Sequence, residues 1–281
     1  MTAQLTHNSY GKNAVNLSKI LRHKDYHEFR QLSVNVSLEG DFTTAYTEGD
    51  NRKILATDTQ KNTVYALAKE HFNGSIEAFA IYLSDHFRTH NKQVSRVTID
   101  ITEHVYTRMT FDGVQHPYAY SGAGPAKNTA LVIQDDDNLR VWSGVRDLLI
   151  LKTTDSGFEH FIKDPYTTLK ETADRIFATQ CEATWLYASN SQDYAECTAA
   201  IRNTLLKTFA FHKSLSVQQT LYAMGEAVLE EFPMVQEISL EMPNKHHIPF
   251  NLEQFGLINN NEIFIATDEP YGLIKGTVKR S

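Results

Sequence analysis

Residues 56–65, ATDTQKNTVY, join a predicted strand over 53–56 to a predicted helix over 63–71. Such a join leaves the backbone N–H groups of the first helical turn free, and Thr57 and Asp58 add a hydroxyl and a carboxylate beside them. Thr, Asp and Asn are also common residues of ordinary helix caps. Two interpretations therefore stay open for this stretch, a helix cap alone or a turn that contacts a ligand.

Strand and helix patterns alternate along the rest of the first half. Alternating apolar and polar residues predict strands over 15–20 and 26–38. Apolar residues at helical spacing predict a helix over 75–89 with Ser75 as its cap. The later predicted elements are a strand over 93–109, a loop over 112–127 that holds two prolines and three glycines, and a hairpin of 129–134 with 140–152 around the acidic turn 135–137.

The second half repeats this plan without repeating the residues. Two apolar helical stripes run over 201–209 and 217–228. Short strands are predicted over 185–187, 237–242, 250–255 and 262–266. Strands, paired helices and strands again indicate an α+β protein with antiparallel sheets. We predict two units, residues 1–136 and 137–281.

Composition limits the classes of partner. The chain has 281 residues, 41% of them hydrophobic and 22% charged, which is typical of a globular protein with a real core. A net charge of −7 argues against nucleic acid or an acidic membrane surface as a partner. No apolar run has the length of a membrane span, and the first residues lack the apolar core of a signal peptide.

Cysteine usage and the last residues predict a cytoplasmic protein. Cys181 and Cys197 cannot build a disulfide framework, and nothing in the sequence marks either thiol as activated. The last three residues, 279–281, are not a Ser-Lys-Leu peroxisomal signal.

Cofactor and metal motifs are absent from the sequence. There is no GxGxxG or Walker loop for a nucleotide or flavin, and no CxxC, HExxH or EF-hand loop for a metal. His23 and His27 are four residues apart, but on a strand that spacing spans about 13 Å, too far for one ion. We expect neither a cofactor nor a metal.

Four stretches nevertheless form a specific pattern together with residues 56–65. They are Tyr10-Gly11-Lys12, FEHFIKDPYTTLKETADR at 158–175, SVQQT at 216–220 and MPNKHH at 242–247. In this order the chain closely resembles urate oxidase, the cofactor-free uricase family. The resemblance implies two tandem tunnelling-fold units per chain, with four chains forming a barrel-walled tunnel and active sites at the subunit interfaces.

The resemblance also implies a clamp for the substrate. Arg175 and Gln218 correspond to the residues of the family's clamp. A planar guanidinium and an amide can together hydrogen-bond to the edge of a purine anion. The remaining implied contacts are a backbone N–H of Val217, the stacking ring of Phe158 and an apolar contact from Leu169.

A proton relay is implied by three further matches. Lys12, Thr57 and His246 correspond to the family's relay, in which a lysine in a suitable environment acts as a base. Thr57 and Asp58 correspond to residues that reach in from the neighbouring subunit. Asn244, with Thr57, corresponds to the group that holds dioxygen or water above the ring. Because adjacent strand residues point to opposite faces, His247 is not expected to share the site with His246.

The implied reaction converts urate, dioxygen and water to 5-hydroxyisourate and hydrogen peroxide, with no metal or organic cofactor. Two alternatives stay open. One is another tunnelling-fold enzyme acting on a pterin or deazapurine, which would commonly anchor its substrate with a Glu. The other is a non-catalytic purine-binding protein with the same fold.

Overall fold

Alternating apolar residues near the N-terminus form two long antiparallel strands, as predicted. In the computed structural model, which describes residues 3–280, β1 (Tyr10–Arg22) pairs with β2 (His27–Gly40). The remaining elements are, in order, α1 (Thr43–Thr47), α2 (Thr57–His71), α3 (Ile76–His90), β3 (Val94–Phe111), β4 (Val114–Gln134), β5 (Leu139–Lys152), β6 (Phe177–Tyr187), α4 (Tyr194–Phe211), α5 (Val217–Glu231), β7 (Val235–Pro249), a 3-10 helix (Glu253–Phe255), β8 (Phe264–Thr267) and β9 (Leu273–Lys279).

The chain divides into two compact units, each of which consists of two segments of the sequence. The first runs to Gly144 and includes Leu186–Thr198, and the second comprises Val145–Trp185 and the chain from Ala199 onward. The predicted sequence boundary between residues 136 and 137 stays a prediction.

In the first unit, strands β1 to β4 form an antiparallel sheet in sequence order. Helix α2 packs on β1, and α3 packs on β3 and β4. Ser75 caps α3 as predicted, because its side chain accepts a hydrogen bond from the Ala78 backbone N–H at 3.1 Å. Alternate residues of β2 and the apolar stripe of α3 supply much of the core: Leu32, Val34, Val36, Leu38, Phe79, Leu83 and Phe87 are all 1% exposed or less.

In the second unit, which β5 enters at Val145, the strand order is β5-β6-β7-β8, and β9 pairs with β7. Helix α5 packs on β7 and β9, and Ser216 caps it by accepting a hydrogen bond from the Gln219 N–H at 3.1 Å. The predicted stripe of α5 is buried, with Met224 and Val228 fully inaccessible to solvent. Antiparallel sheets with paired helices, the predicted α+β class, are thus present in both halves.

The predicted strand over 53–56 is wrong, and helix α2 begins at Thr57 instead of at residue 63. The Ile54 N–H donates to the Asn51 carbonyl at 3.0 Å within a turn, and two further backbone groups of this segment pair with side chains. The Leu55 N–H donates to the Tyr10 hydroxyl at 2.9 Å, and Gln93 Nε2 donates to the Lys53 carbonyl at 2.8 Å. A local sequence pattern does not reveal such distant partners.

The predicted loop over 112–127 is also wrong, because most of it belongs to β4. Its prolines and glycines are accommodated by two register shifts in the pairing with β3, between His104 and Tyr106 and between Arg108 and Thr110. The predicted strand over 250–255 is instead a turn with a short 3-10 helix. That turn ends at Gly256, whose φ of 70° lies in the left-handed region that glycine adopts readily.

Gly11 is required by the close approach of β2, so Gly11→Ala is expected to destabilise the protein strongly. A Cβ at position 11 would lie 1.8 Å from the Val36 carbonyl oxygen, and backbone atoms cannot move aside as a side chain can. We expect a loss of about 3 kcal/mol or more, seen as a lower midpoint of urea unfolding. Gly122→Ala, at a strand glycine with open space around it, is the control. Equal midpoints for the two variants would contradict the close-approach argument.

Candidate active site

The second unit contains a cavity of about 470 Å³ that brings together five of the residues singled out in the sequence. They are Phe158, Leu169, Arg175, Asn244 and His246. Three separate segments supply the walls: residues 153–176, residues 244–249, and the pair Asn261 and Phe264.

A short antiparallel bridge sets the positions of Phe158 and Arg175. The Phe158 N–H donates to the Thr172 carbonyl at 2.7 Å, and the Thr172 N–H donates back at 3.1 Å. Three residues later the Arg175 guanidinium lies over the Phe158 ring, with its carbon 5.3 Å from the ring centroid. A planar anion paired with this guanidinium would therefore lie next to the Phe158 ring, on which the Phe161 ring is stacked with centroids 5.0 Å apart.

The Arg175 guanidinium is half-buried and incompletely partnered. Its Nε atom is buried and makes no hydrogen bond within residues 3–280. Burial lowers the pKa of Arg175, yet arginine keeps its charge in proteins. The adjacent carboxylate of Asp174 accepts hydrogen bonds from Thr154 Oγ1, 3.0 Å from each oxygen. A buried cation with a free donor favours an anionic ligand in this cavity.

Asn244 and His246 lie where β7 changes its partner strand. Pro243 is the last residue paired with β9, and His246 is the first paired with β8. Between them, the Asn244 N–H donates to the Gly272 carbonyl at 2.8 Å. This leaves the amide of Asn244 half-buried at the cavity, with its Nδ2 3.5 Å from Nδ1 of His246.

His247 lines the same cavity as His246, contrary to the expectation from strand alternation. The cavity also reaches Ile248 and Pro249, so it extends along the end of β7 and not over one face only. His247 Nδ1 lies 3.2 Å from the Lys245 carbonyl oxygen.

Val217 and Gln218 do not line this cavity but begin helix α5, which is anchored to the Phe158 segment. The Gly157 N–H donates to the Ser214 carbonyl at 2.8 Å, and the Ser214 N–H donates to the Asp155 carbonyl at 2.9 Å. Val217 is buried and Gln218 is exposed. Their part in a clamp stays a prediction.

Lys12, Thr57 and Asp58 belong to the first unit, where Tyr10 links their segments. Tyr10 stands two residues before Lys12, and its hydroxyl accepts the hydrogen bond from Leu55, two residues before Thr57. The pKa of Asp58 is held below its usual value chiefly by the hydrogen bond and charge of Lys61, with a smaller contribution from the charge of Lys12. The lysine and the helix start are therefore electrostatic neighbours.

The first turn of α2 does not have a side-chain cap. Its N-cap residue is Ala56, which cannot accept a hydrogen bond through its side chain. The carboxylate of Asp58 accepts from Lys61 Nζ at 2.5 Å and from Asn62 Nδ2 at 2.9 Å, and not from the helix end. The side-chain cap of the first interpretation is therefore not present, and contact of this turn with a ligand stays a prediction.

Three residues near the cavity had no role predicted from the sequence. Thr154 and Asp174 support the Arg175 segment, and Thr172 Oγ1 donates to the Asp174 carbonyl at 2.6 Å. Thr172 and Asp174 lie within the stretch 158–175, but the resemblance assigned them no role. Thr154 is twenty residues before Asp174, so no local pattern connects the two.

Metal-ligand and nucleophile candidates do not assemble in the described chain. Within residues 3–280 no group of three or more His, Cys, Asp or Glu side chains is arranged to hold a metal ion. His23 lies in the β1–β2 turn, where its Nε2 is 2.6 Å from Glu28 Oε1. Both cysteines are buried free thiols, and burial raises the pKa of Cys181 to about 12. Across the same residues, every helix is too short or too polar to span a bilayer.

Comparison with known proteins decides the family. A sequence profile of the family described as Uricase matches residues 8–133 and 141–275. The chain belongs to the uricase family. Uricase from Arthrobacter globiformis is 41% identical over 276 residues, which are 98% of this chain and 90% of that protein. Uricase from Dictyostelium discoideum is 37% identical over an alignment of length 282, which covers 99% of this chain and 98% of that protein.

A uricase crystal structure shares the fold. The structure of uricase from Arthrobacter globiformis superposes with a TM-score of 0.95 at 40% identity, covering 100% of this chain and 96% of that one. The tunnelling fold predicted from the sequence is thereby confirmed. Every stretch that carried the resemblance lies within the two matched segments.

Proposed function

We propose that the protein is a urate oxidase that converts urate, dioxygen and water to 5-hydroxyisourate and hydrogen peroxide. The observation that carries this proposal is the half-buried Arg175 guanidinium, with a free Nε donor and the Phe158 ring beneath it. Urate is a planar anion, so it suits a charged fork next to an aromatic face. Membership of the uricase family supports the same substrate.

Substrate is held by groups of the second unit. Arg175 and the amide of Gln218 bind the edge of the purine, and the backbone N–H of Val217 contributes a further donor. Phe158 stacks on the ring, and Leu169, which is 59% exposed, covers its apolar edge. These contacts fix the orientation of the anion, which lowers the entropic part of the barrier.

Proton transfer is carried out by Lys12, Thr57 and His246. Lys12 passes a proton through the Thr57 hydroxyl, and His246 completes the relay. Asn244, together with Thr57, holds dioxygen or the water above the ring. The electron-rich urate anion itself reduces dioxygen, so we propose that neither a metal nor an organic cofactor takes part.

The working form is a homotetramer with its sites at subunit interfaces. Thr57 and Asp58 of one subunit reach the substrate held by Arg175 of another, through the uncapped N–H groups at the start of α2. The four chains form a barrel-walled tunnel. We further propose a cytoplasmic location, with no nucleic acid and no membrane as partners.

Urate consumption in air, measured with peroxide release on chelator-treated protein, tests the function. We expect loss of the ultraviolet band of urate with one peroxide formed per urate. Activity that disappears with chelator and returns with added metal would contradict the cofactor-free reaction. Binding of urate without consumption would favour the purine-binding alternative. Turnover of a pterin in place of urate would favour the other enzyme class, which commonly anchors its substrate with a Glu. The cavity contains Glu171, but its carboxylate is already paired with Lys163 Nζ at 2.8 Å.

Mixed oligomers test whether sites span subunits. Thr57→Ala and Arg175→Ala subunits, each inactive alone, are co-expressed with different tags and purified as mixed assemblies. Random mixing at equal amounts is expected to restore about one site in four, because such a site takes Thr57 from one chain and Arg175 from another. Verified mixed assemblies with no recovered turnover would indicate that each site is built from a single chain.

A further inference from the structure

The pairing of β1 with β2 is interrupted directly after Lys12. Between Lys12 and Val15, β1 contains two residues, 13 and 14, where β2 contains only Asn35. An extra residue on one strand of an antiparallel pair is a β-bulge, and bulges re-aim the side chains beside them.

The bulge decides which face of the sheet Lys12 occupies. In a regular strand, residues three apart point to opposite faces. Here Lys12 and Val15 share a face, because their partners Val36 and Val34 are two residues apart and are both fully buried on the helix side of β2. Lys12 is thereby directed to the side of the sheet on which α2 packs.

Asn35 supplies the hydrogen bond that the bulge removes from the ladder. Its Oδ1 accepts from the Ala14 N–H at 2.8 Å, and its Nδ2 donates to Oδ2 of Asp100 at 3.2 Å. Only the NH₂ group can donate to a carboxylate, so Asp100 fixes the amide with its oxygen toward Ala14. Ala14 has a φ of 54°, a conformation that costs an L-residue about 1 kcal/mol and needs support from its surroundings.

We infer that Asn35 is a positioning residue for Lys12: its amide stabilises the bulge that directs the lysine toward the start of α2. Asn35 is on the opposite face of β2 from the buried Val34 and Val36, so it acts through the backbone and does not touch substrate. The inference rests on the proposed catalytic role of Lys12.

Asn35→Ala is expected to lower kcat by about 100-fold with KM changed less than about threefold, since a small displacement of a catalytic group has this order of effect. Asn128→Ala is the matched control, because Asn128 also donates across the sheet to a carboxylate, Glu103 Oε2 at 3.1 Å, away from the bulge. The control is expected to keep kcat within about twofold of the parent protein.

Exchange of the two side chains tests the hydrogen bonds themselves. Asn35→Asp combined with Asp100→Asn keeps an acceptor for the Ala14 N–H and a donor between the side chains. This double variant is expected to recover most of the lost kcat. It also keeps the test decisive if Asn35→Ala fails to fold, because an exchange variant that folds with a hundredfold lower kcat would overturn the inference.

A double-mutant cycle separates positioning from general destabilisation. In the Lys12→Met background, Asn35→Ala is expected to cause no further loss of kcat, because its effect passes through Lys12. A multiplied loss, or an unchanged kcat for Asn35→Ala alone, would overturn the inference while leaving the role of Lys12 intact. Full turnover by Lys12→Met itself would overturn the proposed role of Lys12 and the inference with it.

Discussion

Lys12→Met is expected to lower kcat by about 10³-fold while the affinity for a non-reactive urate analogue stays within about twofold. Methionine keeps the length and most of the apolar contacts of the lysine but cannot take up or release a proton. The substrate contacts proposed for Arg175 and Phe158 belong to the other unit of the fold, so they are unaffected by this change. Turnover and equilibrium binding of the analogue are the two measurements.

Lys19→Met provides the control for Lys12. Lys19 is also on β1, but its ammonium donates to the Ala68 carbonyl at 2.8 Å, at the far end of α2. We expect this control to lower stability by about 2 kcal/mol, the value of a hydrogen bond from a charged group, with kcat nearly unchanged. If Lys12→Met retained normal turnover, Lys12 would have no part in the chemistry.

Arg175→Ala is expected to weaken binding of the same analogue by about 100-fold or more. Removing one member of a desolvated, hydrogen-bonded charge pair costs about 3 kcal/mol. The half-buried guanidinium would form such a pair with the purine anion. Equilibrium binding is the appropriate measurement, because KM equals the dissociation constant only when chemistry is slow.

Two further variants define the requirement at position 175. Arg175→Lys keeps the charge but loses the planar fork, so it is expected to restore only part of the affinity. Arg146→Ala, which removes a more exposed arginine 3.7 Å from Glu182, is expected to bind the analogue normally. An Arg175→Ala protein with unaltered affinity would refute the proposed clamp.

Elements with strong local signals were predicted well. Helix α3 has both an apolar stripe and a capping serine, and its predicted limits, 75–89, agree with the structure within one residue. Helix α5 has the same combination of signals and begins where its stripe begins. Periodicity and capping are properties of neighbouring residues, so a sequence displays them directly.

The errors occur where distant partners override local signals. Residues 112–127 were predicted as a loop because of their prolines and glycines, yet β3 pairs with this segment across two irregularities. The segment before α2 depends on Tyr10, forty-five residues away from Leu55. Local composition does not contain this information.

For the site, the sequence predicted which residues take part but not how they are arranged in space. Family resemblance singled out Phe158, Arg175 and His246, and the structure places all three at one cavity. The sequence did not reveal that His247 also reaches this cavity, or that Asn35 supports a bulge twenty-one residues earlier. Both depend on how strands pair and end, which residue type alone does not specify.

Because the Leu55 N–H donates to the Tyr10 hydroxyl, exchange of this amide with solvent reports on the contact between their two segments. Its proton is held by a side chain of β1 and not by a strand ladder or a helix turn. Solvent exchange at this one amide therefore measures how often the segment before Thr57 separates from the segment that carries Lys12. Hydrogen-exchange protection at Leu55, followed with and without a urate analogue, would monitor the opening of these two segments independently of turnover.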